Sequence, residues 1–358
     1  MDQLFGTDGI RGFAGRFPLD ERTIRLIGRS LAQQISSGAG RNARFLSGRD
    51  TRESGTWIEA AFHSGVTSAG AVCDTAGVIT TPGVAHLTGS RGYDAGIVIS
   101  ASHNPYPDNG IKIFSPSGKK IGAAVERQIE IDVSDGGANH ESIEPIEPVE
   151  IDQSRVREFA AEYLKFLGNA ATGLAAGGIK IVIDCANGAA SNLAPDLFAS
   201  IGGSVVAINN SPNGRNINEN CGSLHLDDLR ARVVAEDADL GVAFDGDADR
   251  ALFVDENGNV VDGDATLWIM ARHMQDRGFL ASGRVVATVM SNVGLEVALQ
   301  SRNIELIRTD VGDKYVLDEL LKSGSEIRGE QSGHIIFPAT SLVGDGMLTA
   351  LHLLCRNY

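Results

Sequence analysis

Residues Lys180–Asn209 read KIVIDCANGAASNLAPDLFASIGGSVVAIN. A β-branched apolar run stops at Asp184, and a loop of small and polar residues follows. Apolar residues then recur at helical spacing before a second apolar run, Val205–Ile208. That order predicts a strand, a crossover helix and a second strand beside the first. The same order returns from Arg44 as RFLSGRDTRESGTWIEAAFHSGVTSAGAVCDTAGV and from Arg284 as RVVATVMSNVGLEVALQSRNIELI. In each copy a loop of Gly, Ser, Asn or Asp opens the helix. Identity between the copies is slight, so the repeat is one of architecture and not a short-period solenoid. The fold class this predicts is α/β, with three similar domains built on mixed, mostly parallel sheets.

Two breaks divide the chain. The segment 132–152, DVSDGGANHESIEPIEPVEID, is acidic with little apolar periodicity and reads as a linker or surface hairpin. Asn257-Gly258, within DENGNVVDGDA, is a hairpin-turn signal. Domains are therefore expected at 1–153, 154–256 and 257–358. Each holds a further apolar run that ends in a polar loop: AGIVIS-ASHNP, LGVAF-DGDADR and EIR-GEQSGH. Functional groups in open α/β sheets gather beyond the carboxyl ends of strands. The three loops are accordingly expected to converge on one cleft.

The bulk composition narrows the partners. The chain has 358 residues, 42% hydrophobic and 22% charged, with 43 glycines, as an ordinary globular protein with many tight turns would. A formal net charge of −15 argues against nucleic acid and anionic membrane surfaces. An anionic small substrate would need a local concentration of Lys and Arg. The four cysteines, Cys73, Cys185, Cys221 and Cys355, show no metal-ligand or disulfide spacing and read as buried free thiols. The N-terminus MDQLFGTDGIRG has no signal-peptide pattern, and no apolar run is long enough to span a bilayer. A cytoplasmic location is expected.

In DGDADR, Asp245, Asp247 and Asp249 stand at alternate positions and can face one hard cation. A calcium loop of the EF-hand type fits the acidic spacing, but its sixth position is Arg250 and ALFVD reads as strand. An aspartyl nucleophile at Asp245 and a solvated acidic turn are the other readings. Close carboxylates repel without a cation, which favours the metal. Ser102 in SASHNP needs activation to act as a nucleophile. His103 is adjacent, and neighbours in a strand-end loop seldom face each other; no GxSxG elbow surrounds the serine. The alternatives are a turn-forming serine or a phosphoryl carrier whose charge a nearby cation neutralises. Phosphoryl transfer needs positioning and positive charge. Arg11, Lys112 and Arg250 sit beside glycines or in strand-end loops, and Arg49, Arg52 and Lys314 are further cations. In GEQSGH, Glu330 and Ser332 suit sugar hydroxyls, and His334 can exchange a proton near neutral pH.

Taken together, GTDGIRG, SASHNPYPDNGIKIF, FDGDADR, DVGDKYV and GEQSGH resemble, in that order and over essentially the whole chain, the α-D-phosphohexomutase superfamily. Gln331 is similar to its glucosamine-phosphate branch, where phosphomannomutase and phosphoglucomutase members tend to have Met. The resemblance implies that Ser102 is phosphorylated and that its phosphate joins Asp245, Asp247 and Asp249 around one Mg2+. It further implies Arg11 and Arg250 as stabilisers of transferring charge and Lys112 and His334 as general acid and base. Glu330, Ser332 and Lys314 would hold substrate. The implied reaction interconverts glucosamine 6-phosphate and glucosamine 1-phosphate through a 1,6-bisphosphate, feeding UDP-N-acetylglucosamine, with glucosamine or glucose 1,6-bisphosphate as activator. A phosphomannomutase or phosphoglucomutase with the same machinery, and an inactive sugar-phosphate or metal-binding module, are the rival readings. The superfamily's fourth domain, with its RxSGTEP-type phosphate loop, is expected to be absent, which leaves activity in question. A homodimer is left open by the sequence.

Overall fold

The computed structural model describes residues 4–6, 8–136, 146–170, 178–310 and 322–354. Two compact units emerge: residues 1–163 with 213–217, and residues 164–212 with 218–358. The first unit is built on strands β1 (Ile10–Phe13), β2 (Arg44–Arg49), β3 (Val72–Val78), β4 (Ala95–Ile99) and β5 (Asp108–Phe114), in the order β1-β5-β4-β2-β3. Strand β2 runs parallel to β3 and β4, whereas β5 is antiparallel to β4 and β1. Every residue of β4 is buried, as a central strand covered on both faces requires.

Helices α1 (Glu21–Ala39), α2 (Gly55–Ser68), α3 (Thr81–Ser90) and α4 (Ala123–Gly136) accompany this sheet. Asp20 caps α1 by accepting a 3.0 Å hydrogen bond from the Thr23 amide, and Gly40 ends it in the left-handed conformation. Ile24, Ile27 and Leu31 of α1 pack with Ile58 and Phe62 of α2 over Phe45, Ile97 and Ile111 of the sheet. Full burial of each such side chain contributes roughly 1.5–3 kcal/mol. Helix α5 (Gln153–Ala170) begins in this unit, where Arg155 pairs with Asp74 at 2.6 Å.

The second unit carries two sheets. One is made of β6 (Lys180–Asp184), β7 (Ser204–Ile208), β8 (Leu240–Phe244), β9 (Ala251–Asp255) and β10 (Val260–Val261), ordered β10-β9-β8-β6-β7. The other holds β11 (Arg284–Thr288), β12 (Glu305–Thr309), β13 (Arg328–Gly329) and β14 (Ile335–Ile336), ordered β12-β11-β13-β14. The accompanying helices are α6 (Ala194–Ser200), α7 (Asp227–Ala235), α8 (Gly263–Asp276), α9 (Val293–Gln300) and α10 (Gly346–Leu354).

All three sheets follow one plan. In each, the strand that opens the crossover, β2, β6 or β11, has a parallel strand on either side, and the strand after the second of these turns back antiparallel. The predicted α/β architecture with mixed sheets is therefore present, and the three quoted crossover segments supply β2-α2-β3, β6-α6-β7 and β11-α9-β12.

Two sequence expectations need amendment. The acidic segment does not begin as a linker, because Asp132–Gly136 complete α4, where Ile129 and Val133, four residues apart, are buried. Residues 137–145 lie outside the described residues. Cys73 is only half-buried, while Cys185 and Cys221 are buried. Burial pushes the Cys221 thiol up to about 12, which makes it inert near neutral pH. Cys355 and Lys314 lie outside the described residues. Among the described residues no helix is long and apolar enough to cross a membrane.

Candidate active site

The three polar loops singled out in the sequence occupy one topological position. Residues 100–107 link β4 to β5, 245–250 link β8 to β9, and 330–334 link β13 to β14. Each follows the carboxyl end of a strand that pairs in parallel with the strand opening the crossover segment of its sheet, β2, β6 or β11.

In the first unit Ser102 is buried and left-handed, with φ at 53°. A non-glycine residue held there costs on the order of 1–3 kcal/mol and persists only where its surroundings fix it. The Ser102 amide donates to Ser100 Oγ at 2.9 Å, and its carbonyl accepts from Arg52 Nη2 at 3.0 Å. The turn also brings Ser102 Oγ to 3.3 Å from His103 Nδ1. The expectation that these neighbours would not face each other is thus corrected, and the positive φ is the reason.

Sheet register gathers positive charge beside this loop. Arg11 lies opposite Gly110 in the β1–β5 ladder, so Arg11 shares a sheet face with Gly110 and Lys112. Lys120 bridges to Phe114 and joins the same face. All three cations meet Asp8: Arg11 in a short ion pair, Lys112 at 3.3 Å and Lys120 at 2.6 Å. Arg11 Nη1 also donates to the carbonyl of Ala101, next to Ser102, at 3.3 Å. Arg49 is turned elsewhere and pairs with Glu59 at 3.3 Å.

The second unit assembles the acidic loop. Asp245, Asp247 and Asp249 are buried, and one carboxylate oxygen from each lies within 4.8 Å of the others. Three buried carboxylates so close are unfavourable unless a cation shares them, and an all-oxygen donor set suits a hard divalent ion. The residues present therefore fit a metal site of that class. Ala248 is left-handed, with φ at 56°, and its amide donates to the Asp245 carbonyl at 3.1 Å. The amide of Gly346, at the start of α10, donates to the Ala248 carbonyl at 3.0 Å. A Cβ on Gly346 would stand 2.5 Å from the Arg250 carbonyl oxygen, so only glycine permits this approach.

The sugar-loop candidates are tied to the acidic loop within this unit. Gly333 accepts from the Ala251 amide at 3.1 Å, and His334 Nδ1 lies 3.7 Å from Asp249 Oδ2. Ser332 Oγ is 3.3 Å from Glu330 Oε2. Burial works against the charge on Arg250, but Asp249, Asp245, Glu330 and Asp247 together hold its pKa above the ordinary guanidinium value. Arg250 is thus a permanent cation set among four carboxylates.

Sequence reasoning named Ser102, Arg11, Lys112, the three aspartates, Arg250, Glu330, Ser332 and His334. It did not find Asp8, Lys120 or Gly346, and it counted Arg52 only as a further cation. Arg52 is wholly buried under the Ser102 loop. The parallel pairing of Arg49 with Ile99 sets the ends of β2 and β4 side by side. Arg52 stands three residues past the end of β2, and its place under the Ser102 loop follows only from the β2–β4 pairing, which the sequence did not show.

Comparison with known proteins agrees with this geometry. Family models described as phosphoglucomutase/phosphomannomutase, alpha/beta/alpha domains I, II and III match residues 2–139, 161–258 and 262–356. A curated phosphoglucosamine mutase from Solibacter usitatus is 49% identical over 350 residues, covering 98% of this chain and 77% of its own length. Its counterpart in Mycolicibacterium paratuberculosis is 48% identical over 360 residues, covering 99% of this chain and 79% of its own. A phosphoglucomutase/phosphomannomutase family structure from Burkholderia thailandensis superposes with a TM-score of 0.81 at 26% identity, over 99% of this chain and 76% of that one.

Proposed function

The chain belongs to the phosphoglucomutase/phosphomannomutase family, on its phosphoglucosamine mutase branch, and from that premise we propose how its residues serve the reaction. The reaction interconverts glucosamine 6-phosphate and glucosamine 1-phosphate through a 1,6-bisphosphate. Ser102 carries the phosphoryl group, donating it to one sugar oxygen and accepting it back from the other. Arg11 and Lys112 offset the charge on the Ser102 phosphate, with Lys120 extending the same face. Asp245, Asp247 and Asp249 hold a divalent cation, read here as Mg2+, one of the hard ions that an all-oxygen site suits. That ion, when bound, supplies charge neutralisation at the transferring phosphoryl group.

The remaining roles fall to the sugar loop. Glu330 and Ser332 hold sugar hydroxyls, and Lys314 contacts substrate. His334 moves a proton at Nδ1 or Nε2 to or from the sugar hydroxyl, with Lys112 as the candidate in the other half-reaction. The single observation that carries this reading is the meeting of the buried triad, Arg250, Glu330 and His334 within one compact unit. Such a set combines cation binding, a fixed positive charge, hydroxyl recognition and proton exchange, as phosphoryl transfer to a sugar oxygen requires.

Turnover of glucosamine, glucose and mannose phosphates, measured side by side, tests the substrate. Preference for the glucosamine phosphates is expected, and equal turnover of all three would overturn the choice. Incubation with glucose 1,6-bisphosphate and Mg2+, followed by intact mass, tests the carrier. One phosphate should appear on the wild-type chain and none on Ser102→Ala.

A further inference from the structure

Both backbone groups of Ser102 lead to one buried carboxylate. Its amide donates to Ser100 Oγ, which itself donates to Asp50 Oδ2 at 2.6 Å. Its carbonyl accepts from Arg52, whose Nε donates to the same Asp50 oxygen at 2.9 Å. The Arg52 guanidinium also donates to the carbonyls of Asn104 at 2.7 Å and Pro105 at 2.5 Å. The loop is therefore wrapped round a cation that water does not reach, and Asp50 fixes that cation from below. Asp50 also accepts from the Arg52 amide at 2.9 Å, which sets the turn out of β2.

A buried ion pair is a poor device for stability, because desolvation of two charges offsets most of their attraction. Its value lies in geometry. A planar guanidinium offers donors in fixed directions, and lysine cannot reproduce them. We propose that Arg52 and Asp50 are positioning residues that hold the Ser102 backbone in its left-handed turn through both the free and the phosphorylated states. The inference rests on the reading of Ser102 as phosphoryl carrier. In the uptake step an Oγ–P bond forms as the donor's sugar O–P bond breaks, and the hydroxyl proton passes to the released sugar oxygen. The serine then gains close to two negative charges beside Arg11 and Lys112, which pull on its loop. A backbone held on both sides keeps the phosphorus in line for the next acceptor.

Arg52→Lys and the milder Ser100→Ala test this in the full chain. Three readouts are taken: the rate of phosphate uptake from glucose 1,6-bisphosphate by intact mass, amide hydrogen exchange over residues 100–107, and melting temperature. Uptake at saturating bisphosphate should fall roughly a hundredfold in Arg52→Lys and about tenfold in Ser100→Ala, with the half-saturating concentration little changed. Exchange at the loop amides should quicken in both variants, while amides of β4 keep wild-type protection. Wild-type uptake in both variants, or a loss no greater than the loss of folded protein, overturns the proposal. If the wild-type chain takes up no phosphate, the carrier reading falls, and exchange alone then decides the clamp. Unchanged loop exchange in both variants would sink it.

Discussion

Asp245, Asp247 and Asp249 repel one another, and without a metal the single charge of Arg250 offsets only part of that repulsion, so the site is held against its own electrostatics. Asp249→Asn removes one charge from the cluster. Without added metal it should raise the unfolding free energy by roughly 1 kcal/mol, a trade of stability against function. Saturating Mg2+ should reverse the order, with the wild-type chain melting higher; thermal melts with and without the ion check this. Gly346→Ala probes the support of the same loop. The added methyl meets the Arg250 carbonyl, the loop must shift, and Mg2+ affinity by titration calorimetry should fall about tenfold. The acidic triad was legible because three like charges at alternate positions are improbable without a ligand. Gly346 was not, because nothing in LVGDGMLTA indicates which backbone its amide will meet.

At the scale of elements, the pairing of strands brings distant residues into register. Ser47 of β2 lies 2.8 Å from His63 Nε2 of α2 and donates to Glu59 at 2.6 Å, and Thr75 of β3 donates to the same carboxylate. Burial holds His63 below its usual 6.5, with Glu59 and Asp74 working the other way. The unfolded chain then binds the extra proton, so this contribution to stability is present above 6.5 and lost as pH falls through the lower folded value. Urea midpoints should drop between pH 7.5 and pH 5.5, with a shallower drop in His63→Gln. The crossover segments were legible because apolar runs and helical spacing survive in the sequence. The end of α4 was hidden by Asp132, Ser134 and Asp135, polar residues held in place by the burial of Ile129 and Val133 and by contacts from α1, where Ser30 donates to Asp132 and Arg22 to the Gly136 carbonyl.

For the whole molecule, two compact units with separate cores predict unfolding that is not two-state. Calorimetry of the unphosphorylated chain should resolve more than one transition. Added Mg2+ should raise the transition of the second unit, which holds the acidic triad, and leave the other in place. Coincident shifts of every transition would contradict that assignment. The division itself has a consequence for anyone cutting the gene. The polypeptide passes from one unit to the other between 163 and 164, 212 and 213, and 217 and 218. Arg215 grips Glu53 at 2.7 Å, and Gly214 accepts from the Glu53 amide at 2.9 Å. A fragment ending at 163 therefore forfeits a strap that returns fifty residues later. A faithful excision would have to graft that pentapeptide back.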